Sequence, residues 1–86
     1  MVYLKNIKQN CNLVSFDGYI NNDHSKHFTM TVDLNDSSKS KSSIEKCYYT
    51  SEALLKVFYT FAEKGSLPKE LVATSHWLFH NHNKIP

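Results

Sequence analysis

His76 and His80 stand four residues apart, a spacing that on a helix brings both imidazoles to one face and can ligate zinc. His82 offers a third ring. On a continuing helix, however, it points more than about 100° away from the other two and joins them only where the chain unwinds at Asn81. No glutamate lies between the pair where a zinc protease needs its base, and nothing in the spacing draws in Cys47, His24 or His27. These histidines read as surface residues, and no metal site is expected. Cys47 is the other reactive group, since a thiol beside an imidazole makes a nucleophile. It is flanked by Tyr48 and Tyr49 in a stretch that reads as a strand, where a small thiol is ordinary core. With only Gly18 and Gly65 for tight turns, the chain has no phosphate-cradling loop and no nucleotide fingerprint. No catalytic residue, no cofactor and no enzymatic activity are expected.

Two binding chemistries remain. The first is a protein partner or a second copy of the chain. Helical spacing over 67–80 puts Trp77 on the side away from the apolar stripe, with Ala73, His76 and His80 beside it, and Tyr59 sits similarly among charged residues on the preceding helix. An exposed tryptophan is costly unless something covers it, and tryptophan is enriched in binding hot spots. The alternative is single-stranded nucleic acid. Lys39, Lys41 and Lys46 with Tyr48, Tyr49 or Tyr19 on a wet sheet face would combine phosphate neutralisation with base stacking. Asp33, Asp36 and Glu45 interrupt the lysines, and all ten basic residues are lysine, so the arginine forks that read guanine and clamp phosphate are missing.

Composition narrows the rest. Eighty-six residues make one domain, 1–86, with little margin of buried surface. The hydrophobic fraction of 41% and charged fraction of 21% are those of a folded domain and not a polyelectrolyte. The formal net charge is +2, and no apolar run is long enough to span a bilayer. Without a secretory leader ahead of Cys11 and Cys47, reduced thiols and a cytoplasmic location are expected.

The elements that would position these residues follow from periodicity. Residues 51–64 read as a helix: Leu54, Leu55, Phe58, Phe61 and Ala62 share one face, Glu52, Lys56 and Glu63 the opposite one, and Gly65 ends it. Over 12–20, Val14, Phe16 and Ile20 alternate with Ser15, Asp17 and Tyr19, and Gly18 reads as a bulge or a close backbone approach. Over 27–34, Phe28, Met30, Val32 and Leu34 alternate with His27, Thr29, Thr31 and Asp33. Residues 44–49 read as a third strand with Cys47 and Tyr49 inward. The serine- and lysine-rich 35–43 reads as a flexible loop, with a lesser reading as a phosphate-contacting or modifiable one. Leu71, Val72, Ser75, Leu78 and Phe79 repeat the helical stripe, so 67–80 reads as a second helix, and 82–86 as a frayed tail. Val2 to Ile7 alternates poorly and is assigned nothing. The expected fold is α+β: a three-stranded antiparallel sheet (about 12–20, 27–34, 44–49) followed by a two-helix hairpin (about 51–64, 67–80). The expected role is a non-enzymatic regulator or inhibitor that binds a partner or itself.

Overall fold

The computed structural model describes residues 1–21, 23 and 25–73. In chain order they form strands β1 (Val2–Asn10), β2 (Leu13–Ile20) and β3 (His27–Asp33), a 3-10 turn (Ser37–Lys39), a short strand β4 (Lys41–Ser42), the helix α1 (Tyr48–Lys64) and a short strand β5 (Leu71–Ala73). The strands make one sheet in the order β4-β3-β2-β1-β5 with every neighbouring pair antiparallel. One face carries α1 and the other, among the described residues, is open.

The two strands read from alternation are present. Val14 and Phe16 on β2 and Phe28, Met30 and Val32 on β3 point to the helix and are buried, while Ser15, Asp17, Tyr19, His27, Thr29 and Thr31 lie on the opposite face. β1 explains its own poor alternation. Its pairing with β2 runs from Lys5↔Asp17 to Lys8↔Ser15, one residue too many on β1, and Asn6 sits in the left-handed region at φ 56. This bulge resets the parity, so that Val2 and Leu4 before it and Ile7 after it all reach the core. Cys11, also at φ 56, opens the two-residue loop joining β1 to β2. Gly18 is a close approach: the ring of Phe28, its cross-strand partner, lies directly over it.

The expected three-stranded sheet with a two-helix hairpin is wrong. The sheet has five strands and, among the described residues, there is one helix. Residues 44–49 are not a strand. The helix begins earlier, at Tyr48, because Thr50 Oγ1 accepts from the Cys47 N–H at 2.9 Å and donates to the Cys47 carbonyl at 2.9 Å, pinning the first turn. Cys47 is thus the half-buried residue at the helix start and not an inward strand residue, although Tyr49 does pack against the core. Thr50→Val, which keeps the shape and removes the hydroxyl, should cost about 1 kcal/mol in urea unfolding and speed amide exchange in the first turn.

The second helix over 67–80 is overturned at its start. After Gly65, in the left-handed conformation at φ 73, the chain turns back and Leu71, Val72 and Ala73 pair with Leu4, Tyr3 and Val2. Bonding to β1 satisfies these backbone groups along an edge that would otherwise be bare. The remainder of the expected helix, and the tail at 82–86, lie outside the described residues. The 35–43 loop also holds ordered pieces, the 3-10 turn and β4, with Thr31 pairing Lys41 and Met30 pairing Ser42.

The buried face of α1 differs from the reading as well. Ala53 and Val57, with Thr50 and Thr60, face the sheet, while Leu54, Leu55, Phe58 and Phe61 are only half-buried. At 100° per residue the buried stripe is turned roughly 120° from the bulkiest side of the helix. Small side chains let the helix lie close to a sheet already filled by Phe16, Phe28 and Met30. Glu52, assigned to the wet side, is 1% exposed.

Candidate functional site

The open sheet face gathers side chains from three adjacent strands. Register puts Tyr3, Tyr19 and His27 on one rung, with Val72 of β5 extending it beyond Tyr3. The next rung holds Lys5, Asp17 and Thr29, and the one after it Lys8, Ser15, Thr31 and Lys41. The strands present these residues because their alternate neighbours are apolar and buried, which fixes which face each side chain meets.

Two rings of this rung are in contact, with a lysine over one of them. The Tyr19 and His27 rings are 5.1 Å apart between centroids at 35°, and Lys5 Nζ lies 5.4 Å above the Tyr19 ring. A cation over an aromatic face is attracted by its quadrupole. His27 Nε2 is also 3.4 Å from Asp17 Oδ1. Asn6 Nδ2, carried outward by the bulge, donates to Asp17 Oδ2 at 2.8 Å. That hydrogen bond above all holds the Asp17 carboxyl below its ordinary value, against the opposing effect of burial and with further help from His27 and Lys8. Asp33, at the far end of the face, is likewise held low, first by the Asn12 amide at 2.8 Å and then by the Asn35 N–H. Both aspartates are therefore ionised and engaged at neutral pH. Lys5, Lys8 and Lys41 against Asp17 and Asp33 give 3 − 2 = +1 for the face with His27 neutral.

The residues singled out from the sequence are dispersed. Tyr19 is on the open face, and Lys41 joins it from the edge strand β4. Lys39 is in the 3-10 turn, Lys46 precedes α1, and Tyr48 is exposed on the first turn of α1 with its ring edge-on to Tyr49 at 5.8 Å. Of the proposed partner surface, Ala73 is 1% exposed inside β5 and can meet no partner while the sheet is intact. Tyr59 is 51% exposed on the outer side of α1, and His76, Trp77 and His80 lie outside the described residues. The residues missed were Tyr3, Lys5 and Asn6. They fall in the segment left unassigned, and the one signal that could have found them was a bulge restoring alternation between Val2, Leu4 and Ile7.

Among the described residues no three His, Cys, Asp or Glu side chains converge as a metal site would require, both cysteines are unpaired, and no helix is long and apolar enough to cross a membrane. Comparison with protein-family models, with curated proteins and with solved structures gave no match to this chain.

Proposed function

We propose that the chain is a non-enzymatic binding module that holds single-stranded nucleic acid on the open face of its sheet. The observation that carries this reading is the rung of Tyr3, Tyr19 and His27 with Lys5 lying over the Tyr19 ring. Every base has a π-face, so aromatic side chains on neighbouring strands accept bases in sequence-tolerant fashion, at about 1–3 kcal/mol per stacked base. A base arriving on Tyr19 displaces the Lys5 ammonium, which then turns to the adjoining phosphate. Thr29, Thr31 and Ser15 on the neighbouring rungs add hydroxyls that can meet sugar or phosphate oxygens.

The small net charge of the face sets the character of the binding. With two engaged aspartates among three lysines, affinity comes from stacking more than from counterion release, and a plot of log affinity against log salt should have a slope of only about −1 to −2. Titration of a labelled uridine or thymidine octamer, followed by anisotropy at low salt, tests the reading. Tyr3→Ala with Tyr19→Ala should weaken binding at least about ten-fold while leaving the circular dichroism unchanged, because both rings lie on the uncovered face. Absence of binding at low salt, or binding indifferent to both tyrosines, ends the reading.

The protein-partner reading makes the opposite forecast. It rests on Trp77, His76, His80 and the exposed Tyr59, and Ala73 is withdrawn from it. Concentration-dependent dimerisation lost in Trp77→Ala, together with no response to oligonucleotide, would establish that reading in place of the nucleic-acid one.

A further inference from the structure

We infer, resting on the nucleic-acid reading above, that Asp17 makes the platform selective for guanine, its carboxylate accepting from N1–H and the exocyclic N2 amine of a base stacked on Tyr19. Asp17 is the feature of the face that stacking alone leaves unexplained. It stands on the middle strand, between Lys5 of β1 and Thr29 of β3. A negative charge there repels every phosphate that Lys5 and Lys8 attract. Its chemistry suits the edge of a base and not a backbone.

Three observations carry this. First, Asp17 precedes Tyr19 by two residues on β2, so the two side chains leave the same face one rung apart. At about 3.3 Å per residue that step is roughly 7 Å, and a base on the Tyr19 ring reaches across it with its outer edge. Second, the carboxylate is held in place and charged. Asn6 Nδ2 donates to Oδ2 at 2.8 Å from the bulge, and His27 Nε2 lies 3.4 Å from Oδ1. The Asn6 bond above all keeps the acid ionised, and an ionised carboxylate only accepts hydrogen bonds. Third, its capacity is not used up. The two oxygens carry about four lone-pair sites, of which Asn6 and His27 take at most one on each oxygen. The side chain is 29% exposed, so the remaining sites are within reach of a ligand on the open face.

Two parallel acceptors call for two adjacent donors. Guanine alone among the common bases presents them, N1–H beside the N2 amine. Adenine and cytosine set one amine beside a ring-nitrogen acceptor, and uracil or thymine sets its single N3–H between two carbonyls. Each of these turns a lone pair toward a carboxylate oxygen. Guanine is thus favoured by pairing, and its competitors are disfavoured by repulsion.

The test compares labelled octamers by anisotropy at low salt: uridine throughout, and the same octamer with one central residue replaced by guanosine, inosine or adenosine. The guanosine octamer should bind about ten-fold tighter than the adenosine one, which stacks equally as a purine but opposes the carboxylate with an acceptor. Inosine keeps N1–H and lacks the N2 amine, so it should lose most of that advantage. Asp17→Asn leaves an acceptor for Asn6 and takes the second acceptor from the base, and should bring the ratio of guanosine to adenosine affinity down to about one. The inosine comparison uses the natural chain and so decides the matter whether or not the variant folds. A guanosine octamer that binds no tighter than the adenosine one, or whose advantage survives inosine or Asp17→Asn, overturns the inference while the platform reading stands. Absence of binding to all the octamers overturns both.

Discussion

Gly18→Ala is expected to lower the free energy of unfolding by about 1–3 kcal/mol, the range for forcing extra volume into a filled core. A Cβ built on Gly18 falls 2.4 Å from Phe28 Cζ, 2.6 Å from Cε1 and 2.9 Å from Cε2, all well inside van der Waals contact. The backbone does not need glycine here, since only Gly65 among the glycines has positive φ. On conformational entropy alone the change would stabilise by up to about 1 kcal/mol. The steric effect is larger because Phe28 is 1% exposed and hemmed in by Phe16, Val57 and the rest of the core, so the ring has nowhere to swing. Coupling separates this account from a general intolerance of the strand. Phe28→Leu removes the colliding ring atoms and by itself costs stability through lost burial. In the double variant the penalty for alanine should largely vanish, a positive interaction energy of about 1–2 kcal/mol in a double-mutant cycle. Urea unfolding of the four proteins measures it, and additive losses would show that the ring is not the obstacle.

The same pair illustrates what the sequence could disclose. β2 and β3 were legible because each is long enough for strict alternation, and Gly18 stood out as the one interruption. Alternation alone puts Tyr19 and His27, two of the three aromatic residues of the rung, on the wet face, and the observed register sets them side by side. β1 was not legible. A single residue inserted at Asn6 turns two runs of alternation into one irregular stretch, and Tyr3 and Lys5 disappeared with it. β4 has two residues and β5 three, too few to display any period. Leu71 and Val72 also fit a helical stripe continued by Leu78 and Phe79, and nothing local tells that stripe from a strand that exists only because β1 offers an edge. The helix itself was visible, but not its orientation. Periodicity alone marks the bulkiest face as the buried one, whereas the filled sheet admits Ala53, Val57 and two threonines. Burial on a helix is decided by the surface opposite, which the helix sequence does not contain.

Glu52→Met is expected to raise stability by about 1–3 kcal/mol at neutral pH. Among the described residues Glu52 is the one charged residue in the buried set, and neither of its carboxylate oxygens has a hydrogen-bond partner there. The nearest opposite charge is the amino group of Met1, 3.8 Å from Oε2, too far for a hydrogen bond. That amine belongs to an exposed residue, Met1, so much of its attraction is screened by water. Burial pushes the Glu52 carboxyl above its ordinary value of 4.5, and the amine only partly opposes this. The sign for stability follows from where the proton is held. Below the unfolded value both states are protonated and the side chain carries no electrostatic penalty. As pH climbs from there through the raised folded value, the unfolded chain ionises first and folding loses stability. Asp17 and Asp33 act oppositely, since their lowered values add stability that is present above about 3.8 and lost in acid. The natural chain should therefore gain stability as pH rises through the aspartate range and lose it again above the ordinary glutamate value. Glu52→Met should keep the acid limb and abolish the decline. Methionine preserves the length and most of the volume, and the amine it leaves behind remains solvated. Urea midpoints for both chains near pH 4.5 and pH 7.5 decide the matter: the variant's advantage must be larger at the higher pH. A variant less stable at both would mean that the carboxylate holds a bonded partner in solution and is not a buried charge left alone.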